Sequence, residues 1–279
     1  MLERLNRYAA EIETALDGFL PASSDSRARI REAMRYSLLS GGKRIRSVLT
    51  LEFCRVCGTD YRAAMPLACA LEMIHYYSLI HDDLPCMDND TMRRGKPTNH
   101  MVYGEDFAVL AGDGLLTHAF TVAAAADGLS PAQTLEAVRT LAEAAGLDGM
   151  LGGQAVDVEN DGKLASFDAL VEMYALKTGA LIRAAGRLGC IAAGADRTQR
   201  EAADRYTRAV GLAFQIRDDL LDLEKDRALG KTTYPAVLGE EASREKITAL
   251  TAEAEDAVSV FPDSDFLRSL VGYLAGRSF

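Results

Sequence analysis

Between Leu67 and Ile80 almost every residue is apolar, and the run ends in His81-Asp82-Asp83-Leu84-Pro85-Cys86-Met87-Asp88. A helix that is apolar on nearly all sides has to lie inside a protein, so the rest of the chain must wrap around this segment. Its few polar residues are not scattered. At 100° per residue, His75, Ser78 and Asp82 share a sector about 60° wide, while Leu71, Ile74 and Leu79 look elsewhere. Pro85 disfavours helix at Leu84 and bends the chain there, which lets Asp88 fold back toward Asp82. The opposite charge follows at once, in Arg93-Arg94-Gly95-Lys96-Pro97.

Carboxylates beside guanidinium groups at the mouth of an apolar helix suit magnesium and a diphosphate. Magnesium takes oxygen ligands, keeps several waters and shares one or two carboxylates with substrate phosphates. Arginine forks match phosphate oxygens. A DDxxxxD pattern alone fits an ordinary acidic helix end equally well, so the remaining segments have to decide.

A chain of 279 residues can bury one large core. Its 48% hydrophobic and 26% charged residues are ordinary for an enzyme. The net charge of −10 argues against nucleic acid as a partner, but local Lys/Arg clusters and metal ions still permit phosphate ligands. No uninterrupted apolar run reaches the roughly 18–20 residues of a membrane helix, and no signal-peptide pattern follows Met1. A cytoplasmic protein without membrane insertion is expected. The five cysteines read as reduced thiols. Cys54-Arg-Val-Cys57 is a lone CxxC without a second pair, so packing is its expected role.

Leu2, Leu5, Ala9, Ile12, Leu16 and Phe19 recur at helical spacing and predict a first helix stopping near Pro21. Asp25 or Ser26 is the expected cap of a second helix, Arg27 to Leu39, which Ser40-Gly41-Gly42 ends. Lys43, Arg44 and Arg46 come next. Lys43 and Arg46 are neighbours if the chain re-enters a helix, and the glycines let a ligand approach the backbone, so the cluster suits a phosphate or is a solvated helix start. Helical patterns then succeed one another without an alternating strand pattern. Asp127-Gly128, Asp148-Gly149 and Asp161-Gly162 read as turns and Pro131 as a helix start. No linker or repeat marks a boundary, so one all-α domain over 1–279 is the simplest reading.

Gly149, Met150, Gly153, Gln154 and Asp157 form another one-sided set, about 140° wide, whose glycines permit close approach of a helix or a ligand. Lys177-Thr178-Gly179 interrupts the apolar pattern from Val171 to Ile191, with a lysine that either snorkels or meets an anion. The second acidic helix decides between these readings. Within Arg208 to Asp222, Gln215, Asp218, Asp219 and Asp222 stand at i, i+3, i+4 and i+7 on one face. Like charges at that spacing repel unless a cation sits between them.

With both acidic helices in view, the sequence resembles the trans-prenyltransferases, the isoprenyl diphosphate synthase family that includes farnesyl and geranylgeranyl diphosphate synthases. The matching pieces run in family order from about residue 30 to 240: Gly41-Gly42-Lys43-Arg44-Ile45-Arg46, Asp82 to Asp88 with Arg93-Arg94-Gly95, Gly149-Met150 with Gly153-Gln154, Lys177-Thr178-Gly179, and Gly211 to Asp222. The resemblance implies a single large all-α helical bundle around a deep central cavity, usually in a homodimer. It assigns Asp82, Asp83, Asp88, Asp218, Asp219 and Asp222 to about three magnesium ions on an allylic diphosphate, some through water. Arg93, Lys177 and Lys231 would bind that diphosphate, with Thr178 and Gln215 beside it. Lys43, Arg46, His75 and Arg94 would hold isopentenyl diphosphate. The implied chemistry is head-to-tail condensation through an allylic carbocation.

The resemblance also places product-length control four to five residues before the first aspartate, at Tyr77 and Ser78. Ideal geometry turns Tyr77 about 140° from Asp82, so this placement rests on the resemblance and not on periodicity. An aromatic there resembles bacterial-type farnesyl synthases and implies a C15 product, with geranylgeranyl, C20, as the alternative. One departure stands out: after Asp222 the family usually carries a longer loop with two lysines, whereas Leu223 to Gly230 leads directly to Lys231-Thr232-Thr233-Tyr234. Among rivals, a class I terpene cyclase would not need Lys43, Arg46, His75 and Arg94. A regulatory subunit of a prenyl synthase might lack acids from one motif, and this chain keeps both.

Overall fold

The apolar segment that dominates the sequence becomes the central helix. The structure is a computed structural model and describes residues 1–160 and 162–276. The chain runs through α1 (Leu2–Phe19), α2 (Ala28–Leu38), α3 (Ile45–Val56) and α4 (Met65–Asp82), then a short antiparallel hairpin, β1 (Met92–Arg93) and β2 (Lys96–Pro97). Next come α5 (Asn99–Tyr103), α6 (Glu105–Ala124), α7 (Pro131–Ala145), α8 (Met150–Asn160) and α9 (Phe167–Tyr174). One π-helical turn, Ala175–Gly179, joins α9 to α10 (Ala180–Ala193). The last helices are α11 (Arg197–Leu221), α12 (Leu223–Leu229), α13 (Tyr234–Leu238), α14 (Glu240–Ala257) and α15 (Asp265–Ala275).

Helix α4 touches α6, α3, α10, α1 and α2, and its residues Leu67 to Ile74 are all buried. Each fully buried Leu or Ile there contributes about 1.5–3 kcal/mol, which is why a helix without a polar face is stable in this position. Two stretches, Tyr61–Asp82 and Glu105–Ala124, do pass a length-and-composition test for crossing a bilayer. The expectation of none is corrected: an uninterrupted apolar run is too strict a criterion, because single polar residues end it. Of the first stretch 67% is buried inside the bundle, so the fold itself accounts for its apolar character.

Local signals place most boundaries. Ser130 closes a capping box with Gln133 ahead of Pro131, as the start signal implies. At α2 the expected cap shifts. Asp25 accepts the Arg27 N–H at 2.8 Å in a turn before the helix, and Arg27 itself occupies the cap position without a side-chain bond. The segment after Asp222 is not a bare loop: it forms α12 and stops at Gly230 in the left-handed conformation. The β1–β2 hairpin was not expected. Its tip, Arg94-Gly95, has positive φ at both residues, the geometry of a tight two-residue hairpin turn. Of the expected turn at Asp161-Gly162, Asp161 lies outside the described residues. Cys54 is buried, and Cys57 packs against Cys190 with sulfurs 3.9 Å apart.

Candidate active site

Pro85 and the end of α4 set the first acid cluster. The helix stops at Asp82, and the Asp88 N–H donates to the Asp82 carbonyl at 2.8 Å, so the loop folds back as the proline implies. His75, Tyr77, Ser78 and Asp82 of α4 line a cavity of about 400 Å³. Arg46 of α3, Met150 and Gln154 of α8, and Lys177 and Thr178 of the π turn close its other sides. A second pocket, of about 190 Å³, is lined by Asp157, Gln215, Asp218, Asp219, Asp222 and Lys231. Both pockets share Lys177 and Thr178. The pockets of the two acidic helix ends thus meet at one lysine.

Glycine makes that meeting possible. A Cβ at Gly153 would stand 2.3 Å from the Lys177 backbone nitrogen, so only glycine lets α8 approach the π turn this closely. The approach brings Asp157 to Lys177, Oδ2 to Nζ 2.6 Å. The lysine that interrupts the apolar pattern therefore meets an anion. A π turn inside a helical run often marks a functional site, since it re-aims side chains that a regular helix would spread out.

The six aspartates do not form one set. Burial, with Asp88 and Asp83 adding to it, pushes half-buried Asp82 up to about 6, against the pull of Lys177 and Arg93. Asp83 is turned the other way: both its oxygens accept from Arg93 Nε, at 2.8 and 3.0 Å, and Oδ1 also takes Arg93 Nη2 at 2.6 Å. Asp218 and Asp222 line the second pocket. Asp219 is buried and fully engaged by the Tyr174 hydroxyl at 2.5 Å, the Tyr234 N–H at 3.0 Å and Gln215 Nε2 at 3.2 Å. Thr178 donates to Gln215 Oε1 at 2.9 Å, which extends the chain of bonds back to the π turn. Lys231 is exposed at the rim, its stem over Gly162.

About two turns back along α4 the basic groups gather, with Arg46 and His75 in the wall of the same cavity. Arg46 Nη1 lies 3.3 Å from His75 Nε2. Burial, and then the neighbouring Arg46, Arg94 and Arg44, hold His75 well below its ordinary value, so the ring is neutral and accepts from Arg46. Burial pushes Arg46 down as well, and its Nε is buried without a partner. Exposed Lys43 sits over the Tyr273 ring at 5.0 Å. Arg44 serves the framework, paired with Glu13 and Glu72 and donating to the Leu38 carbonyl.

A larger cavity, about 940 Å³, lies elsewhere, between α7, α10 and α11, where arginines pair with glutamates and aspartates. It holds neither acidic motif, so volume does not locate the chemistry here. Among the described residues no three His, Cys, Asp or Glu side chains form a ready metal cage. An all-oxygen, carboxylate-rich site, with Asp82 crowded by Asp88 and Asp83, is nevertheless what magnesium shared with phosphate oxygens requires. Sequence reasoning left Tyr174 and Tyr76 without a role, because a tyrosine in an apolar helix carries no signal beyond core packing. Asp157 it placed with Gln154 on a face that favours a cavity lining, without a partner, and Asp157 does line the second pocket.

A helical bundle with paired acidic clusters around a lysine and an apolar cavity defines a class of phosphate-handling α proteins. The comparisons with known proteins make the class specific. A family model described as "Polyprenyl synthetase" matches residues 27–260. Farnesyl diphosphate synthase of Geobacillus stearothermophilus is 44% identical over 87% of this chain and 86% of its own length. The chloroplastic heterodimeric geranylgeranyl pyrophosphate synthase large subunit 1 of Arabidopsis thaliana is 46% identical over 95% of this chain and 76% of its own. The apo crystal structure of an FPP/GFPP synthase from Zymomonas mobilis superposes with a TM-score of 0.91 at 39% identity, covering 97% of each chain. This chain belongs to the polyprenyl synthetase family of trans-prenyltransferases.

Proposed function

We propose that the protein condenses isopentenyl diphosphate with an allylic diphosphate, head to tail and with magnesium, and that it stops at farnesyl diphosphate. The observation that carries the reaction is the meeting of two acid-lined pockets at Lys177 and Thr178, with Arg46 and His75 of the basic cluster in the wall of the first.

Asp82 and Asp88 on one side, and Asp218 and Asp222 on the other, would hold magnesium, with Asp83 and Asp219 fixing their surroundings. When bound, magnesium stabilises the negative charge that develops on the departing diphosphate. Lys177 presents its ammonium to the same oxygens, oriented by Asp157, and Lys231 adds charge at the rim. Arg93 spends Nε and Nη2 on Asp83, which leaves Nη1 for the diphosphate. Neutral His75 and the unpartnered Nε of Arg46 suit the diphosphate of isopentenyl diphosphate. The apolar wall of Leu84, Met87 and Met150 keeps water from the allylic cation.

The C15 product rests on Tyr77, a buried aromatic in the cavity wall whose ring stands edge-on to His81, the centroids 5.8 Å apart. Half-exposed Val109 and Leu151 border the same cavity from α6 and α8, an apolar edge that suits a homodimer contact. The test is to incubate the purified protein with magnesium, isopentenyl diphosphate and, in turn, dimethylallyl, geranyl and farnesyl diphosphates, and to size the dephosphorylated products. Farnesol as end product supports the reading, and Tyr77→Ala then lengthens the product. Geranylgeraniol from the unaltered protein removes Tyr77 as the floor; hydrocarbon without elongation points to a cyclase.

A further inference from the structure

Arg94 reaches the Gly41-Gly42-Lys43 loop from the tip of the β1–β2 hairpin, held at φ 52° in the left-handed region. One nitrogen of its guanidinium is already committed. Nη1 donates to the Gly41 carbonyl and to the Tyr76 hydroxyl. That hydroxyl in turn donates to the same carbonyl at 2.6 Å. The Tyr76 ring lies against two guanidinium groups, Arg44 at 4.7 Å and Arg94 at 5.2 Å from its centroid. Gly42 completes the fit, since a Cβ there would stand 2.2 Å from Arg94 Nη1.

The two edges of the guanidinium are therefore unequal. Among the described residues no hydrogen bond engages Nε or Nη2 of Arg94, and these two form the side-on fork that pairs with two phosphate oxygens. An exposed arginine ordinarily loses much of its rotamer freedom when a ligand fixes it. A side chain already fixed through Nη1 loses less, which raises affinity without a new contact.

We infer that Tyr76 is a positioning residue for the diphosphate of isopentenyl diphosphate: it fixes Arg94 and the Gly41-Gly42-Lys43 loop so that the outer fork of Arg94 faces the ligand. The inference rests on the assignment of Lys43, Arg46, His75 and Arg94 to that substrate. The Tyr76 hydroxyl bonds to the Gly41 carbonyl and to Arg94, both on the isopentenyl diphosphate side, so its removal acts first on that substrate. A tyrosine that merely fills space beside α4 would act on both substrates, or on stability, and its hydroxyl would be dispensable.

The experiment measures KM for isopentenyl diphosphate and for the allylic substrate separately, with kcat and thermal midpoint, in Tyr76→Phe, Tyr76→Leu, Arg94→Gln and Tyr76→Phe/Arg94→Gln. Tyr76→Phe keeps the ring and raises KM for isopentenyl diphosphate about fivefold, the effect of one lost hydrogen bond. Tyr76→Leu removes the ring as well and raises it about twentyfold. The allylic KM and kcat stay within about twofold, and the double variant resembles Arg94→Gln alone because the hydroxyl acts through that arginine. If Arg94→Gln raises KM for isopentenyl diphosphate but Tyr76→Phe does not, the inference falls while the site assignment stands. If Arg94→Gln itself leaves that KM unchanged, the assignment falls and the inference with it. Equal rises in both KM values, with a lowered midpoint in Tyr76→Phe, mean packing alone and overturn the inference.

Discussion

Asp82 is held in its ionised form at a cost, and replacing it with asparagine tests whether the metal-free site is strained. Burial first, then Asp88 and Asp83, raise this carboxyl from 3.8 to about 6. A folded-state value above the unfolded one means that the native protein binds the proton more tightly. Stability is then greatest below the unfolded value and falls as pH rises through the folded one. A shift of about two units corresponds to roughly 3 kcal/mol lost at pH 7.5 and about 2 kcal/mol at pH 5.5. Cavity water and the cost of burying the replacement amide reduce the net gain, so Asp82→Asn should stabilise the metal-free protein by about 1–2 kcal/mol at pH 7.5. Urea unfolding in EDTA at a series of pH values measures this. The gain should shrink toward pH 5.5, and added magnesium with pyrophosphate should raise the midpoint of the unaltered protein more than that of the variant. An asparagine variant no more stable than the parent in EDTA, or a gain independent of pH, refutes the reasoning.

Arg44→Leu leaves the buried Glu72 carboxylate without its cation and should lower the unfolding free energy by about 3–5 kcal/mol, read from the urea midpoint. Gly153→Ala forces α8 off the π turn, because its Cβ would meet backbone and not a movable side chain; a loss of about 1–3 kcal/mol in the same assay is expected. Lys177→Met should lower kcat by about 100-fold with a smaller effect on KM for isopentenyl diphosphate, since the lysine acts on charge that develops in the reaction. Equal losses in both parameters would move Lys177 out of the reacting half of the site.

Periodicity read the bundle well where burial is one-sided or complete. The face carrying His75, Ser78 and Asp82 does line a cavity, and the break at Lys177-Thr178-Gly179 is a real break, a π turn. It failed where a partner comes from a distant segment. Nothing in the spacing of Arg93 announces a hairpin, whose turn depends on two residues at positive φ. Tyr77 shows a different limit. An ideal helix turns it far from Asp82, yet both line one cavity, because the cavity curves around α4 and long helical side chains lean toward the N-terminus over the preceding turn.

The division among the aspartates follows from the same helical geometry. Consecutive residues on a helix are 100° apart, so adjacent acids at a helix end meet different partners. If Asp82 looks into the cavity, Asp83 must look into protein, and there it holds Arg93 and with it the hairpin that carries Arg94. Asp218, Asp219 and Asp222 all border the second pocket, but Asp219 is buried and spends its carboxylate on protein donors, among them the Tyr234 N–H, and so holds the segment that carries Lys231. Each adjacent pair therefore joins an acid aimed at the ligand to an acid that anchors a cationic loop beside it. Asp83→Asn should for that reason act on the KM of both substrates, through Arg93 on the allylic diphosphate and through the hairpin's Arg94 on isopentenyl diphosphate, whereas Asp82→Asn should act on kcat and on the magnesium dependence. Identical kinetic signatures for the two variants would mean that both carboxylates serve the metal and that the anchoring role is wrong.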